Sequence, residues 1–143
     1  MITVALRYFD KFAPDCGTIL AHEEVIKEFG FVWYGKLGSA VSIENIQTIL
    51  DNTDPRILLI HSGKTDRYWA YVTDIKRELN KNDQIPEYYR DRIKDFHTWF
   101  KIVKFAKADK DVMKKCFVNS SNKPLGEASK HSMSPYFIIR VED

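Results

Sequence analysis

Residues 2–8 alternate, with Ile2, Val4, Leu6 and Tyr8 on one side and Thr3 and Arg7 on the other. This period of two predicts a half-buried strand. Pro14, Asp15 and Gly17 then mark a loop. Over residues 19–29 the apolar positions Leu20, Ala21, Val25, Ile26 and Phe29 recur at helical spacing, and Gly30 sits where a left-handed residue would close the helix. Residues 31–34 read as a short strand and 35–39, Gly-Lys-Leu-Gly-Ser, as a loop. Ser42 is placed to cap a second helix over 43–51, stopped by Asp54-Pro55. Ile57-Leu58-Leu59-Ile60 is apolar on both faces, as a central strand must be. Residues 67–75 form the next strand. The link between these two is too short for a parallel crossover, so they are predicted to form an antiparallel hairpin. Residues 76–95 read as a long polar loop with room for one short helix. Strands are expected at 99–108 and 136–141, and a short helix at 110–116 capped by Asp109. Residues 119–135 are rich in turn formers. The fold class is α+β, a curved and mainly antiparallel sheet or barrel flanked by helices.

Composition narrows the classes. A chain of 143 residues with 44 % apolar and 29 % charged residues matches globular averages, which excludes disorder and predicts a single domain over 1–143. No apolar run approaches the roughly 20 residues needed to cross a bilayer. Met1-Ile2-Thr3 opens without a signal-peptide pattern, so the expected location is the cytoplasm, with no membrane partner. The net charge of +2 does not by itself call for a polyanion. Cys16 and Cys116 form no CxxC pair and read as packing thiols.

The pattern contains no catalytic constellation. Ser62-Gly63-Lys64-Thr65 includes Gly-Lys-Thr, but position 58 is Leu inside a strand and no helix follows, so a phosphate-binding P-loop is excluded in favour of a hairpin turn. His22, His61, His97 and His131 show no metal-ligand spacing, and no cofactor or metal is expected. Cations do recur beside aromatics, at Arg67-Tyr68-Trp69, at Tyr88-Tyr89-Arg90 through Arg92, and from Trp99 through Lys107. Aromatic faces for bases and cations for phosphates are the elements of single-strand or flipped-base binding.

The order of motifs then resembles a known family. Gly30-Phe31-Val32-Trp33, followed by a polar loop and a helix with Asn45, is similar to the tryptophan-bearing segment of YTH domains. Residues 56–62 and 67–74 resemble the paired strands shared by EVE and YTH domains, and His61-Ser62 is similar to the Tyr-His-Ser ending the first of them in EVE domains. Asn122-Lys123-Pro124-Leu125 resembles the Asn-Lys-Pro-Val of YTH domains, and residues 136–141 match the closing strand. Where YTH domains carry a second Trp, this chain offers Tyr88 and Tyr89. Gly126-Glu127-Ala128 stands in place of their Ser-Arg-Asp, and the Trp-bearing opening strand of EVE domains is missing.

The resemblance spans roughly residues 29–141 and implies the PUA-like superfamily, a curved pseudo-barrel that binds nucleic acids, often through a modified base in an aromatic pocket. It implies Trp33 as the stacking wall, with Tyr34, Tyr88 or Tyr89 opposite. Ser62 and Asn122 would reach the base edge, and Lys36, Lys64, Arg67 and Lys123 the phosphates. The expected partner is DNA or RNA. Two other classes stay open: a small enzyme acting on a nucleotide with His61 or His97 as base, and a protein-interaction module of a defence or toxin–antitoxin system.

Overall fold

The computed structural model describes residues 1–61 and 65–142. Among them run seven strands: β1 (Ile2–Arg7), β2 (Val32–Leu37), β3 (Arg56–Ile60), β4 (Tyr68–Lys76), β5 (Phe96–Lys107), β6 (Cys116–Val118) and β7 (Tyr136–Val141). Three α-helices accompany them: α1 (Thr18–Phe29), α2 (Ile43–Leu50) and α3 (Leu125–His131). Two 3-10 segments cover Glu87–Asp95 and Val112–Lys115. All strands join one sheet in the order β2-β5-β4-β3-β1-β7-β6. The β1–β3 pair is parallel and every other neighbouring pair is antiparallel, including the β3–β4 hairpin. The α+β, mainly antiparallel sheet is therefore what the chain forms.

The sheet order explains the burial. β3 lies between β1 and β4, and Ile57, Leu58, Leu59 and Ile60 are all buried. Leu59 joins the core beneath α1 and α2, whereas Leu58 joins a second core beneath α3 and Val112. β1 is not half-buried as its alternation suggests. Its second face, which Thr3 shares with Ala5, also carries a core, beneath α3, and Thr3 is fully buried on this supposedly polar side, where its hydroxyl donates to the Arg56 carbonyl at 2.6 Å. Cys116 is buried, which pushes its thiol up to about 11, but Cys16 is exposed rather than packed.

α1 is entered from a distance. Gly17 offers no capping side chain, and Asp10 Oδ1 instead accepts from the Thr18 N–H at 2.9 Å. Gly30 closes the helix at φ +86°, a backbone conformation that glycine adopts without strain. The face α1 buries is rotated from the expected one. Leu20 and Phe29 are exposed, while Ile19, His22, Val25 and Ile26 pack inward.

His22 is fully buried among Tyr34, Tyr89 and Phe105, with ring centroids 4.9, 5.1 and 6.3 Å away. Its Nδ1–H donates to the Thr18 carbonyl at 2.8 Å, which leaves Nε2 as a buried acceptor without a partner. Burial lowers its pKa from the ordinary 6.5 to about 4. The unfolded chain thus takes up a proton near pH 6.5, and the folded chain only near pH 4. The stability linked to His22 is complete above about pH 6.5 and is lost as pH falls toward 4, by on the order of 3 kcal/mol. Urea titrations between pH 7 and 4 are expected to show this loss in the wild type and a flatter profile in His22→Gln.

β2 extends further than the sequence pattern indicates. Gly35 and Lys36 belong to the strand and pair with β5 up to Leu37, past a bulge between Lys36 and Leu37. Gly35 serves packing here. A Cβ at that position would lie 2.6 Å from Phe96 ring atoms and 3.0 Å from the Trp99 ring, so only glycine lets both rings close over the strand. The short helix expected over 110–116 is a 3-10 turn at Val112–Lys115, followed by residues 116–118 pairing with β7 as an edge strand, and Leu125–His131 forms α3 where only turn formers are expected.

Candidate functional site

A cavity of about 140 Å³ opens where the end of β1, the start of α1, β2 and the Glu87–Asp95 segment meet. Its wall is aromatic: Tyr8, Tyr34, Tyr88, Tyr89 and Phe96. Strand alternation decides which residue of β2 reaches it. Val32 and Tyr34 take the face beneath α1, and Tyr34 lines the cavity. Phe31 and Trp33 take the opposite face. The Tyr88 and Tyr89 rings stand 4.9 Å apart in an edge-to-face arrangement, and Tyr89 lies 4.7 Å from Phe96. Desolvation raises the pKa of these phenols, Tyr8 to about 12, with Tyr34, Tyr88 and Tyr89 also shifted upward. At neutral pH the wall is therefore uncharged, and each phenol can both donate and accept a hydrogen bond.

The rim is exposed and cationic. Phe9 and Phe12 are about half exposed, and the Arg92 guanidinium lies 3.8 Å from the Phe12 ring centroid. Past Arg7 and Phe9, which line both spaces, the cavity adjoins a groove of about 850 Å³. Arg67, Lys130, His61, Ser129 and Ser132 are among the residues lining that groove. The chain as a whole is nearly balanced, with 22 basic and 20 acidic residues. Yet among the described residues lining the two spaces there are six lysines and arginines and no aspartate or glutamate. Asp10 stands behind both spaces, accepting from the Thr18 N–H and facing His61, so the cationic excess belongs to the lining and rim, where it favours an anionic group.

The structure brings only part of the expected site together. Tyr34, Tyr88 and Tyr89 converge on the cavity, and Arg67 lies in the adjoining groove. The expectation that Trp33 supplies the stacking wall is corrected. The indole is 3 % exposed, packs with Ile85, Tyr89, Phe96 and Trp99, and is absent from the cavity lining. Lys76 covers it, with Nζ 4.3 Å from the ring centroid. Asn122 is also placed elsewhere. It stands in the turn after β6 at φ +60°, and its side-chain oxygen accepts from Arg140 at 2.6 Å. Lys123 is exposed in the same turn and lines neither space.

Lys36 does line the cavity, but its ammonium faces carbonyls. Nζ donates to Ser39 O at 2.6 Å and Leu37 O at 3.1 Å, and lies 3.9 Å from the Tyr136 ring centroid. Burial lowers its pKa. This cation holds its own loop rather than facing a phosphate. Ser62 and Lys64 lie outside the described residues.

Three contributors escaped the sequence pattern. Tyr8 ends a strand whose alternation assigns it to the core, although its ring borders both core and cavity. Phe9 and Phe12 sit in a loop, where no periodicity marks an aromatic rim. The two candidate bases do not meet: His61 lies in the groove with Nε2 3.5 Å from Asp10 Oδ2, and His97 is exposed on β5. Among the described residues no three His, Cys, Asp or Glu side chains gather as a metal site, and no helix is long and apolar enough to cross a membrane.

The family model described as Pua-like matches residues 4–138. No curated protein and no solved structure matches the chain significantly.

Proposed function

This chain belongs to the Pua-like family, and from that premise we propose that it is a nucleic-acid-binding module holding one extruded or modified base in the tyrosine cavity. Domains of this family commonly bind nucleic acids and are typically binding modules. The observation that supports the reading is an aromatic cavity open at a rim that carries cations, with no carboxylate among the described residues lining it. Its volume suits one flat ring, since an apolar protein cavity of about 150 Å³ accommodates benzene. A base moved from water into it gains ring contacts from Tyr34, Tyr88 and Tyr89, and neutral phenols within reach of its polar edge. A methyl group on the base would add apolar surface to the transfer.

The reading is tested by fluorescence anisotropy with single-stranded DNA and RNA oligonucleotides, plain and base-methylated, at two salt concentrations. Binding is expected to weaken with salt, as phosphate contacts require. Tyr88 is only partly buried, so Tyr88→Ala can remove a wall of the cavity without opening the main core. Loss of one base stack is worth about 1–3 kcal/mol, so the affinity should fall roughly 5- to 150-fold. Absence of binding to every oligonucleotide at low salt would overturn the proposal.

A further inference from the structure

Resting on that reading, we infer that the groove beside the tyrosine cavity carries the sugar–phosphate backbone of the bound strand, with Arg67 as its principal phosphate contact and Lys130 as the second. The two spaces differ in size as this division requires. About 140 Å³ holds a ring, whereas about 850 Å³ can take a length of chain. They share Arg7 and Phe9 as a common wall, so a base entering the cavity leaves its own backbone at the mouth of the groove.

Arg67 is distinguished by what the other arginines do. Arg56, Arg90, Arg92 and Arg140 each pair with a carboxylate, at Asp54, Glu87, Asp95 and Glu142. Arg77 donates to the Val41 carbonyl, and Arg7 donates to the carbonyls of Ser129, Ser132 and Ser134. Among the described residues, Arg67 is the one arginine of seven whose guanidinium has neither an acceptor nor an aromatic partner. It is half-buried, and no described residue lining the groove is acidic, although Asp10, behind that lining, faces His61 at 3.5 Å. A guanidinium presents five donors in a planar fork that matches a phosphate in bidentate fashion. With no described acceptor in its fork, the guanidinium is available to an anion entering the groove.

Arg7 has a different part. Its guanidinium covers the carbonyl end of α3, the partly negative end of the helix, which would otherwise repel a phosphate in the groove. Lys130 stands in the last turn of α3, is exposed, and makes no ion pair among the described residues.

The test compares a short oligothymidylate with an abasic strand of the same length, both titrated across a salt series. Arg67→Gln with Lys130→Glu should weaken both strands by similar factors. For a single strand each lost phosphate contact makes the slope of log K against log salt shallower by about 0.7. The double variant should therefore be shallower by about 1.4. Tyr88→Ala should weaken the oligothymidylate and leave the abasic strand unchanged. An unchanged slope in the double variant, with the base preference intact, would overturn the groove and leave the cavity standing. A shallower slope with no effect of Tyr88→Ala would overturn the cavity and support the groove. A wild type that binds neither strand would overturn both. Should Arg67→Gln melt early by circular dichroism, Lys130→Glu alone decides. It is exposed, and its slope must still become shallower.

Discussion

Trp33→Ala is expected to destabilise the protein by about 3–5 kcal/mol, the usual cost of deleting a buried large aromatic. The ring lies between Ile85, Tyr89, Phe96 and Trp99, and its removal leaves a void that those rigid rings cannot easily fill. Trp33→Phe should cost much less. The indole Nε1 has no hydrogen-bond partner, so Phe deletes a buried, unpaired donor while keeping most of the ring packing. Urea denaturation of the two variants checks both statements. The same pair separates core from site. A Trp33→Ala protein that keeps wild-type stability and loses only oligonucleotide binding would place the indole in the pocket after all.

Leu58→Ala and Leu59→Ala are each expected to cost about 2–5 kcal/mol, from lost transfer free energy and the cavity left behind. Neighbours in sequence, the two leucines point into different cores: Leu58 beneath α3 and Leu59 beneath α1 and α2. A sheet with one face in solvent would make one of the two substitutions nearly silent. Chemical denaturation should show both to be severe, and the double variant should approach the sum because the sites do not share a cavity. A loss below about 1 kcal/mol for either would show that its face of the sheet is not packed.

The candidate site was legible in part. Tyr88, Tyr89 and Arg67 stand in short segments where aromatic and cationic residues meet, whereas Tyr34 enters only through the family resemblance. Alternation in β2 also showed that Trp33 and Tyr34 must face opposite ways. It could not show which way is the cavity. That depends on where the Glu87–Asp95 segment lands, about fifty residues further along, and on the two rings that close over Gly35. Lys36 and Arg67 look alike in sequence, as single cations beside glycine-containing turns. The folded chain surrounds Lys36 with carbonyls and leaves Arg67 open.

What the sequence determined by itself is local and periodic. The double-sided apolar run of β3, the hairpin to β4, the closing strand, the Ser42 cap and the Gly30 stop all follow from side-chain spacing and backbone preference within a few residues. Burial on a second face does not. Thr3 is polar yet fully buried because the second face of the sheet also carries a core, and His22 is the centre of the α1 interface because four aromatic rings from three other segments surround it. Only the tertiary structure decided which of the 22 lysines and arginines of a nearly neutral chain line one cavity and its groove. Six lysines and arginines drawn from residues 7 to 130 meet there through strand order, and no window of sequence contains them together.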